Sequence, residues 1–140
     1  DVPIVPRLMA ELAHSRSGVD IHPAATIGRR LCIDHATGIV VGESTVIGDD
    51  VSLYKGVTLG AISVCKDKAG TKRHPTIGDR VVIYAGATVL GGETTVGADS
   101  IIGGNVVLTR SVPPGSLVYQ TADYRVRRHG DRFDGFDHVI

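Results

Sequence analysis

VDIHPAATIG, residues 19–28, begins a pattern with a period of six residues. In each unit an aliphatic residue, usually followed by glycine, precedes four smaller or polar residues. A period of six is neither the 3.6-residue period of a helix nor the two-residue alternation of a half-buried strand. It predicts a parallel β-helix, an all-β solenoid whose short strands turn a corner every six residues and whose coils stack. The aliphatic positions, with a slip of one residue after Val89, are Ile21, Ile27, Ile33, Ile39, Ile47, Leu53, Leu59, Ile77, Ile83, Val89, Val96, Ile102 and Leu108.

The composition of the 140-residue chain agrees with a single solenoid domain. Hydrophobic residues make up 42% of it but aromatic residues only 4%, as expected of a core of stacked Ile, Val and Leu. The formal net charge is zero, so no overall basic field attracts nucleic acid or a membrane surface. No apolar run reaches the roughly 18 residues that a bilayer span needs, and no signal peptide is visible. These features predict a cytoplasmic protein with no nucleic-acid or membrane partner.

The chain divides into three predicted segments. Residues 1–19 are expected to form a short N-terminal helical segment, and residues 20–115 the β-helix. Within the β-helix, polar residues between 60 and 75 cannot fill inward positions, so we expect an extruded loop, a usual place for function. Residues 116–140 mix basic and acidic side chains without a regular period, which predicts an irregular C-terminal tail. The flat sides of such a prism favour packing against copies of itself, and we expect a closed homotrimer.

Four polar residues carry the candidate chemistry. Asp20 and His35 lie fifteen residues apart, slightly less than one coil of three hexapeptides, so we expect them to be near neighbours on adjacent coils. An imidazole held by a carboxylate is a common general base, because the carboxylate fixes the tautomer and stabilises the cation that forms. Arg73 and His74 follow the loop and are suited to a substrate carboxylate or a developing oxyanion.

Plainer interpretations apply to other residues. A lone histidine in a strand is more often a structural hydrogen-bonding group than a catalyst, and this is the interpretation favoured for His22. For His35, which follows Asp34 and precedes a turn of small residues, catalysis is favoured. Cys32 is expected to fill the core, and Cys65 to lie in the loop; their spacing fits neither a metal-binding pair nor a disulfide framework.

Four runs together resemble the serine O-acetyltransferases, hexapeptide-repeat acyltransferases that make O-acetylserine for cysteine synthesis. The runs are VDIHPAATIG at 19–28, DHATGIVVGE at 34–43, VTLG at 57–60 and RHP at 73–75. The resemblance covers roughly residues 15–114, and DHATGIVVGE is its most specific part. It implies a left-handed β-helix, although crossovers between parallel strands are usually right-handed.

The resemblance also implies a mechanism, the direct transfer of acetyl from acetyl-CoA to the L-serine hydroxyl without a metal. His35 would take the hydroxyl proton and later protonate the thiolate of CoA, while Asp20 would orient the His35 ring. Asp34 would bind the serine amino group, and Arg73 and His74 would hold its carboxylate. In such enzymes the site lies between two subunits of a trimer, so Arg73 and His74 would serve a neighbour's His35.

Two further contacts follow from the resemblance. The pantetheine arm of the cofactor would run along the coil edges near Gly60, Ala61, Ala85 and Gly103, contacting mainly backbone. Many family members end in an isoleucine that enters the active site of O-acetylserine sulfhydrylase, a role that falls to Ile140 here. Deleting Ile140 should abolish binding to the sulfhydrylase while sparing acetyl transfer.

Three features depart from the family pattern. The usual large N-terminal helical domain is absent or reduced to residues 1–19, which favours a trimer over a hexamer. The loop over residues 61–72 is longer than expected, and its Lys-rich centre is suited to the phosphates of CoA. The segment after Pro114 lacks the Gly-Val-Pro-Ala that follows the last coil in the family.

Rival interpretations come from other classes of protein. A hexapeptide acetyltransferase for another acceptor, homoserine or a sugar, is one, although Arg73 argues against a plain sugar. In carbonic-anhydrase-like β-helices, histidines converge on a metal between subunits, and His22, His35 and His74 are candidates for that role. A non-catalytic scaffold is the third.

Overall fold

The computed structural model describes residues 4–63 and 71–121, which form one helix and fourteen short strands. The helix α1 spans Ile4–Ser17. The strands are β1 Asp20–Ile21, β2 Thr26–Ile27, β3 Cys32–Asp34, β4 Val40–Val41, β5 Val46–Ile47, β6 Ser52–Tyr54, β7 Thr58–Gly60, β8 Thr76–Ile77, β9 Val82–Ile83, β10 Thr88–Leu90, β11 Thr95–Val96, β12 Ile101–Ile102, β13 Val107–Leu108 and β14 Leu117–Val118.

The strands form three parallel sheets, which are the faces of a triangular prism. The first face stacks β1, β4, β7, β10 and β13; the second, β2, β5, β8 and β11; the third, β3, β6, β9, β12 and β14. One passage through the three faces is one coil, and each coil pairs with the next. This arrangement confirms the predicted solenoid.

Three corners join the faces and position the site. The His35 corner, between the third and first faces, comprises residues 35–39, 55–57, 84–87 and 103–106. The Arg73 corner, between the first and second faces, comprises residues 22–25, 42–45, 61–63, 71–75 and 91–94. The charged corner, between the second and third faces, comprises residues 28–31, 48–51, 78–81 and 97–100.

The core consists of aliphatic columns that run along the inside of each face. On the first face Ile21 pairs with Val41, Val41 with Leu59, Leu59 with Val89, and Val89 with Leu108. Burial of such a side chain stabilises a fold by roughly 1.5–3 kcal/mol, so these columns supply most of the driving force for stacking. The side chains almost wholly excluded from solvent include Val41, Ile47, Leu53, Leu59, Ile77, Ile83, Val89, Val96 and Ile102.

The glycine that follows many inward aliphatics is explained by the close approach of the next coil. A Cβ atom added at Gly28 would lie 2.5 Å from the carbonyl oxygen of Gly48, closer than any side-chain carbon can approach. Gly48 itself would meet the backbone of the third coil in the same way. Coil stacking therefore excludes a side chain at these corners.

The first coil is longer than its period indicates. Asp34 pairs with Tyr54, twenty residues on, whereas Val40 pairs with Thr58, only eighteen residues on. The segment from Asp34 to Val40 is therefore two residues longer than the segment from Tyr54 to Thr58. These two extra residues expand the His35 corner.

One inward position inferred from the sequence is corrected. Ile39, six residues after Ile33, is buried as predicted, but it lies at the expanded corner, and Val41 holds the strand position that pairs with Ile21. Cys32, expected to fill the core, is exposed. It precedes the inward-facing Ile33 in β3, and successive strand side chains point to opposite sides.

Regular structure continues past the predicted end of the β-helix at residue 115. Leu117 and Val118 form β14, which pairs with β12 and adds a fifth strand to the third face. The predicted loop carries described residues 61–63 and 71–75, between the end of β7 and the start of β8. Cys65 and most of the C-terminal tail, with Ile140, lie outside the described residues.

α1 lies beside the first coil and exposes much of its apolar surface. Leu8, Met9 and Leu12, the predicted apolar stripe, are all exposed. Instead, Ala10 and Ala13 line a groove between the helix and the first coil. Within residues 4–63 and 71–121, no helix is long and apolar enough to cross a membrane.

The charged corner carries a column of alternating charge. Arg30, Asp50, Arg80 and Asp99 occupy equivalent positions in successive coils, all with φ between 56° and 61°. The Arg30 guanidinium donates to Asp50 at 2.6 Å, and that of Arg80 to Asp99 at 2.8 Å. These hydrogen bonds hold the pKa values of Asp50 and Asp99 below the usual range. Such exposed pairs add little stability.

Candidate functional site

The expanded first-coil turn presents His35 at the surface of the prism. His35 follows the last residue of β3 and has φ of 54°, in the left-handed region that few non-glycine residues occupy. The N–H of Thr37 donates to the His35 carbonyl at 2.5 Å, which closes a tight turn within the two extra residues. The turn directs the His35 side chain outward, and 74% of it is exposed.

The carboxylate beside the His35 ring belongs to Asp34. Asp34 Oδ1 lies 3.6 Å from His35 Nε2, close enough for an ion pair when the ring is protonated but too long for a hydrogen bond. Asp20, expected to orient the ring, begins β1 opposite Val40, so it also borders the His35 corner. The structure thus brings Asp34 to the ring, and an orienting role for Asp20 stays a prediction.

The Arg73 corner is organised around the hydroxyl of Ser44. This oxygen accepts the backbone N–H of Arg73 at 2.8 Å and that of His74 at 3.1 Å, and it lies 2.9 Å from His74 Nδ1. The side chain of one corner residue in the second coil therefore holds the backbone and ring of two residues that lie about thirty positions further along the chain.

The hydrogen bonds also define the protonation state of His74. The backbone N–H of Ser44 donates to His74 Nδ1 at 3.1 Å, so Nδ1 carries no proton and the neutral ring carries it on Nε2. Burial, and then the charge of Arg73, lower the pKa of His74, which keeps the ring neutral. A Cβ atom at Gly42 would overlap the His74 ring, so glycine there makes room for it. The result is a fixed Nε2–H donor.

The Arg73 side chain is oriented by an acidic partner. Its Nη2 donates to Glu43 Oε2 at 2.8 Å, and its Nε is buried without a hydrogen-bond partner. Lys72 Nζ donates to the carbonyls of Ser44 and His74 at 3.0 and 2.9 Å, and burial lowers its pKa. Sequence reasoning assigned no role to Glu43 or Ser44, although both lie in or directly after the DHATGIVVGE run.

The predicted cofactor residues divide between two corners. Gly60 ends β7, and Ala61 lines a cleft of about 370 Å³ at the Arg73 corner. Ala85 and Gly103 lie at the His35 corner. The other residues lining the cleft are Ile62, Ser63, Thr71, Lys72, Arg73, Gly91, Gly92 and Glu93.

The two corners flank the first face within one chain. Residue 39 ends one corner and residue 42 begins the next, a separation of roughly 10 Å at about 3.3 Å per strand residue. The structure therefore groups His35 with Asp34 at one edge of the face, and Arg73 with His74 at the other.

His22 and the metal hypothesis can be compared with this geometry. His22 Nδ1 accepts the backbone N–H of Ala24 at 3.2 Å, as expected of a structural histidine that stabilises its own turn. In the described part of the chain, no group of three or more His, Cys, Asp or Glu side chains is placed to hold a metal ion.

Sequence comparisons find relatives along most of the chain. It is 56% identical over 124 residues to the plasmid serine acetyltransferase of Synechococcus elongatus, covering 85% of this chain and 39% of that protein. It is 52% identical over 115 residues to the serine acetyltransferase of Mycobacterium tuberculosis, covering 82% and 48% respectively. The chain spans about half the length of the curated relatives it matches. No protein-family model matches it.

Solved structures share the fold. Serine acetyltransferase isoform 3 of Entamoeba histolytica, in complex with cysteine, superposes with a TM-score of 0.79 at 43% identity, covering 88% of this chain and 42% of that one. The Neisseria gonorrhoeae enzyme in complex with serine gives 0.76 at 39% identity, covering 89% and 48%. This likeness confirms the predicted left-handed parallel β-helix.

Proposed function

We propose, from the premise that the chain belongs to the serine acetyltransferase family over the stretch it shares with its relatives, that it transfers acetyl from acetyl-CoA to the hydroxyl of L-serine. The product, O-acetylserine, would feed cysteine synthesis. The observation that carries the proposal is the expanded His35 corner, where two extra residues turn an exposed imidazole outward beside a carboxylate. In a purely structural solenoid, the two extra residues would add nothing to coil stacking.

The reaction needs one group that both accepts and donates a proton. Neutral His35 would take the serine hydroxyl proton as the oxygen attacks the thioester carbonyl, which forms a tetrahedral intermediate. When that intermediate collapses, the C–S bond breaks and the imidazolium returns the proton to the thiolate of CoA. Asp34 lies at ion-pair distance and would stabilise the imidazolium; it would also attract the serine ammonium group. Asp20 would orient the ring.

The Arg73 corner would bind the serine carboxylate. Arg73 supplies a fixed positive charge, and Glu43 restrains its side chain. His74, held neutral by burial, would donate through Nε2–H to a carboxylate oxygen. Two donors on one rigid corner would fix the amino acid so that its hydroxyl points toward His35.

The complete site would lie between subunits of a trimer. Within one chain the His35 and Arg73 corners are on opposite edges of the first face, with roughly 10 Å of strand between them. Packing three prisms around an axis would place the His35 corner of one subunit against the Arg73 corner of its neighbour. The same packing would bring Ala85 and Gly103 of one subunit close to Gly60 and Ala61 of the next, along one cofactor groove. Acetyl-CoA is the co-substrate, and no step requires a metal.

The decisive experiment compares thiol release from acetyl-CoA in the presence of L-serine for the intact protein and for His35→Ala. We expect a loss of about two orders of magnitude or more, as for removal of a general base. His14→Ala is the matched control, because that exposed ring lies on α1, outside the His35 and Arg73 corners, and it should retain activity. Equal activity of the intact protein and His35→Ala would reject the mechanism.

Acceptor and partner need separate tests. Comparing thiol release with homoserine, a sugar and L-serine under the same conditions would identify the acceptor. Activity that survives a chelator would exclude the metal-dependent alternative. The predicted sulfhydrylase contact through Ile140 lies outside the described residues. A pull-down with and without Ile140 tests it.

A further inference from the structure

An aromatic column runs along the end of the third face, beginning one coil beyond Asp34. Asp34 pairs with Tyr54, and continuation of the strand register places Tyr84 next, then Gly103, then Tyr119. The backbone bonds agree, since Gly103 N–H donates to the Val118 carbonyl at 2.7 Å. Tyrosine thus occupies three of the four positions after Asp34, and glycine the remaining one.

The column contains one formed stack and one gap. The rings of Tyr54 and Tyr84 stack with centroids 5.0 Å apart and an interplanar angle of 24°. Tyr84 remains 43% exposed and Tyr119 68% exposed, and Gly103 places no side chain between them. A chain with so few aromatic residues, only 4% of its sequence, concentrates three of them on one line.

Strand spacing alone makes the gap wide enough for one flat ring. Adjacent strands lie about 4.8 Å apart, so Tyr84 and Tyr119 are separated by two coils, or about 9.6 Å. A ring at the level of Gly103 would lie about 4.8 Å from each, close to the spacing of the Tyr54–Tyr84 stack and within the usual range for stacked rings. Next to Tyr119 a cleft of about 360 Å³ is lined mainly by apolar side chains, Val106, Val107 and Val118 among them.

The distance of the gap from His35 is consistent with one end of acetyl-CoA as the occupant. Gly103 lies three coils from Asp34, a distance of about 14 Å along the prism. Acetyl-CoA carries its thioester and its adenine at opposite ends of a long flexible arm that can span this distance. The thioester at the His35 corner would therefore place the adenine near the gap, with Ala85 and Gly103 along its path.

We propose that Tyr84 and Tyr119 form a slot, floored by Gly103, that binds the adenine ring of acetyl-CoA by stacking. The proposal rests on the proposed function for the identity of the ligand. It assigns specificity for the nucleotide end of the cofactor to side chains outside the reacting centre.

The test separates the adenine from the thioester. Affinity for adenosine 3′,5′-bisphosphate, measured by calorimetry, reports on the slot without turnover. The KM values for acetyl-CoA and for acetyl-pantetheine, which lacks the adenosine part, report on it during turnover. The variants are Tyr84→Ala, the ring-retaining control Tyr84→Phe, and Tyr119→Ala. Because Tyr119 is highly exposed, its replacement should leave the fold intact.

We expect each alanine variant to weaken bisphosphate binding and raise the acetyl-CoA KM about tenfold, in line with the loss of one base–aromatic stack. The KM for acetyl-pantetheine should not change, and Tyr84→Phe should behave as the intact protein. Unchanged bisphosphate affinity, or equal rises in both KM values, would overturn the slot. Absence of acetyl transfer by the intact protein would instead reject the proposed function, whatever the calorimetry shows.

Discussion

Ser44 fixes the orientation and the protonation state of the His74 ring. The Ser44 hydroxyl holds two backbone N–H groups and the His74 ring, and the Ser44 N–H excludes a proton from Nδ1. The imidazole can then act only as an Nε2–H donor. A substrate carboxylate would meet a hydrogen bond of fixed direction, with no ring reorientation needed on binding.

Ser44→Ala should therefore lower kcat/KM for L-serine by about tenfold or more, since a typical hydrogen bond contributes about 1 kcal/mol and several are lost. Steady-state kinetics with serine as the varied substrate measures the effect, and the acetyl-CoA KM should stay constant. Ser44→Thr keeps the hydroxyl and should restore most of the activity. If alanine lowers only the melting temperature, with kcat/KM intact, Ser44 has a structural role alone.

The two extra residues of the turn between β3 and β4 are not needed for coil stacking. In the next coil, where this turn has two residues fewer, the Lys55 carbonyl accepts the N–H of Gly86. In the expanded turn the Thr37 carbonyl accepts the N–H of Gly56. A shortened turn would therefore still offer a carbonyl, that of His35, at the equivalent place.

Deletion of Ala36 and Thr37 should leave the solenoid folded and abolish acetyl transfer, because His35 would lose its outward-directed turn. Circular dichroism and the melting temperature check the fold, and thiol release checks the activity. Substitution of Ala36 and Thr37 by Gly-Gly is the length-matched control, and it should retain more activity than the deletion. An active deletion variant would contradict a role for the extra residues.

The aliphatic period was sufficient to predict the strands but not the corners. Inward positions such as Leu53 and Ile83 recur because only apolar side chains fit inside the prism. The regular spacing of aliphatic residues in the sequence therefore locates the strands. The two-residue expansion shows in the sequence as the eight-residue step from Ile39 to Ile47. Its true position, between Asp34 and Val40, stayed hidden because Ile39 happens to lie six residues after Ile33. The Ser44–His74 contact stayed hidden too, because it joins residues thirty apart across a loop whose length the period does not record.

Assembly should determine whether the site is complete. If His35 of one subunit works with Arg73 of its neighbour, the variants His35→Ala and Arg73→Ala can complement each other in mixed trimers. In a random equal mixture, about one interface in four would combine an intact His35 with an intact Arg73. Unfolding and refolding the two variants together should therefore restore roughly a quarter of the intact activity.

Each variant refolded alone provides the baseline and should stay nearly inactive at low serine. Measurement of mass by light scattering would verify the trimer before and after mixing. A mixture no more active than the separate variants would show that both residues act within one subunit.

The alternating charges of the charged corner bear on how the chain avoids misfolding. Interior aliphatics of different coils are nearly interchangeable, so they cannot distinguish pairing with the next coil from pairing with the one after it. Skipping a coil would set Arg30 against Arg80, or Asp50 against Asp99, and like charges would repel. Correct stacking sets opposite charges together at every step. We therefore expect the column to disfavour, during folding, a looped-out coil that the hydrophobic interior alone would accept.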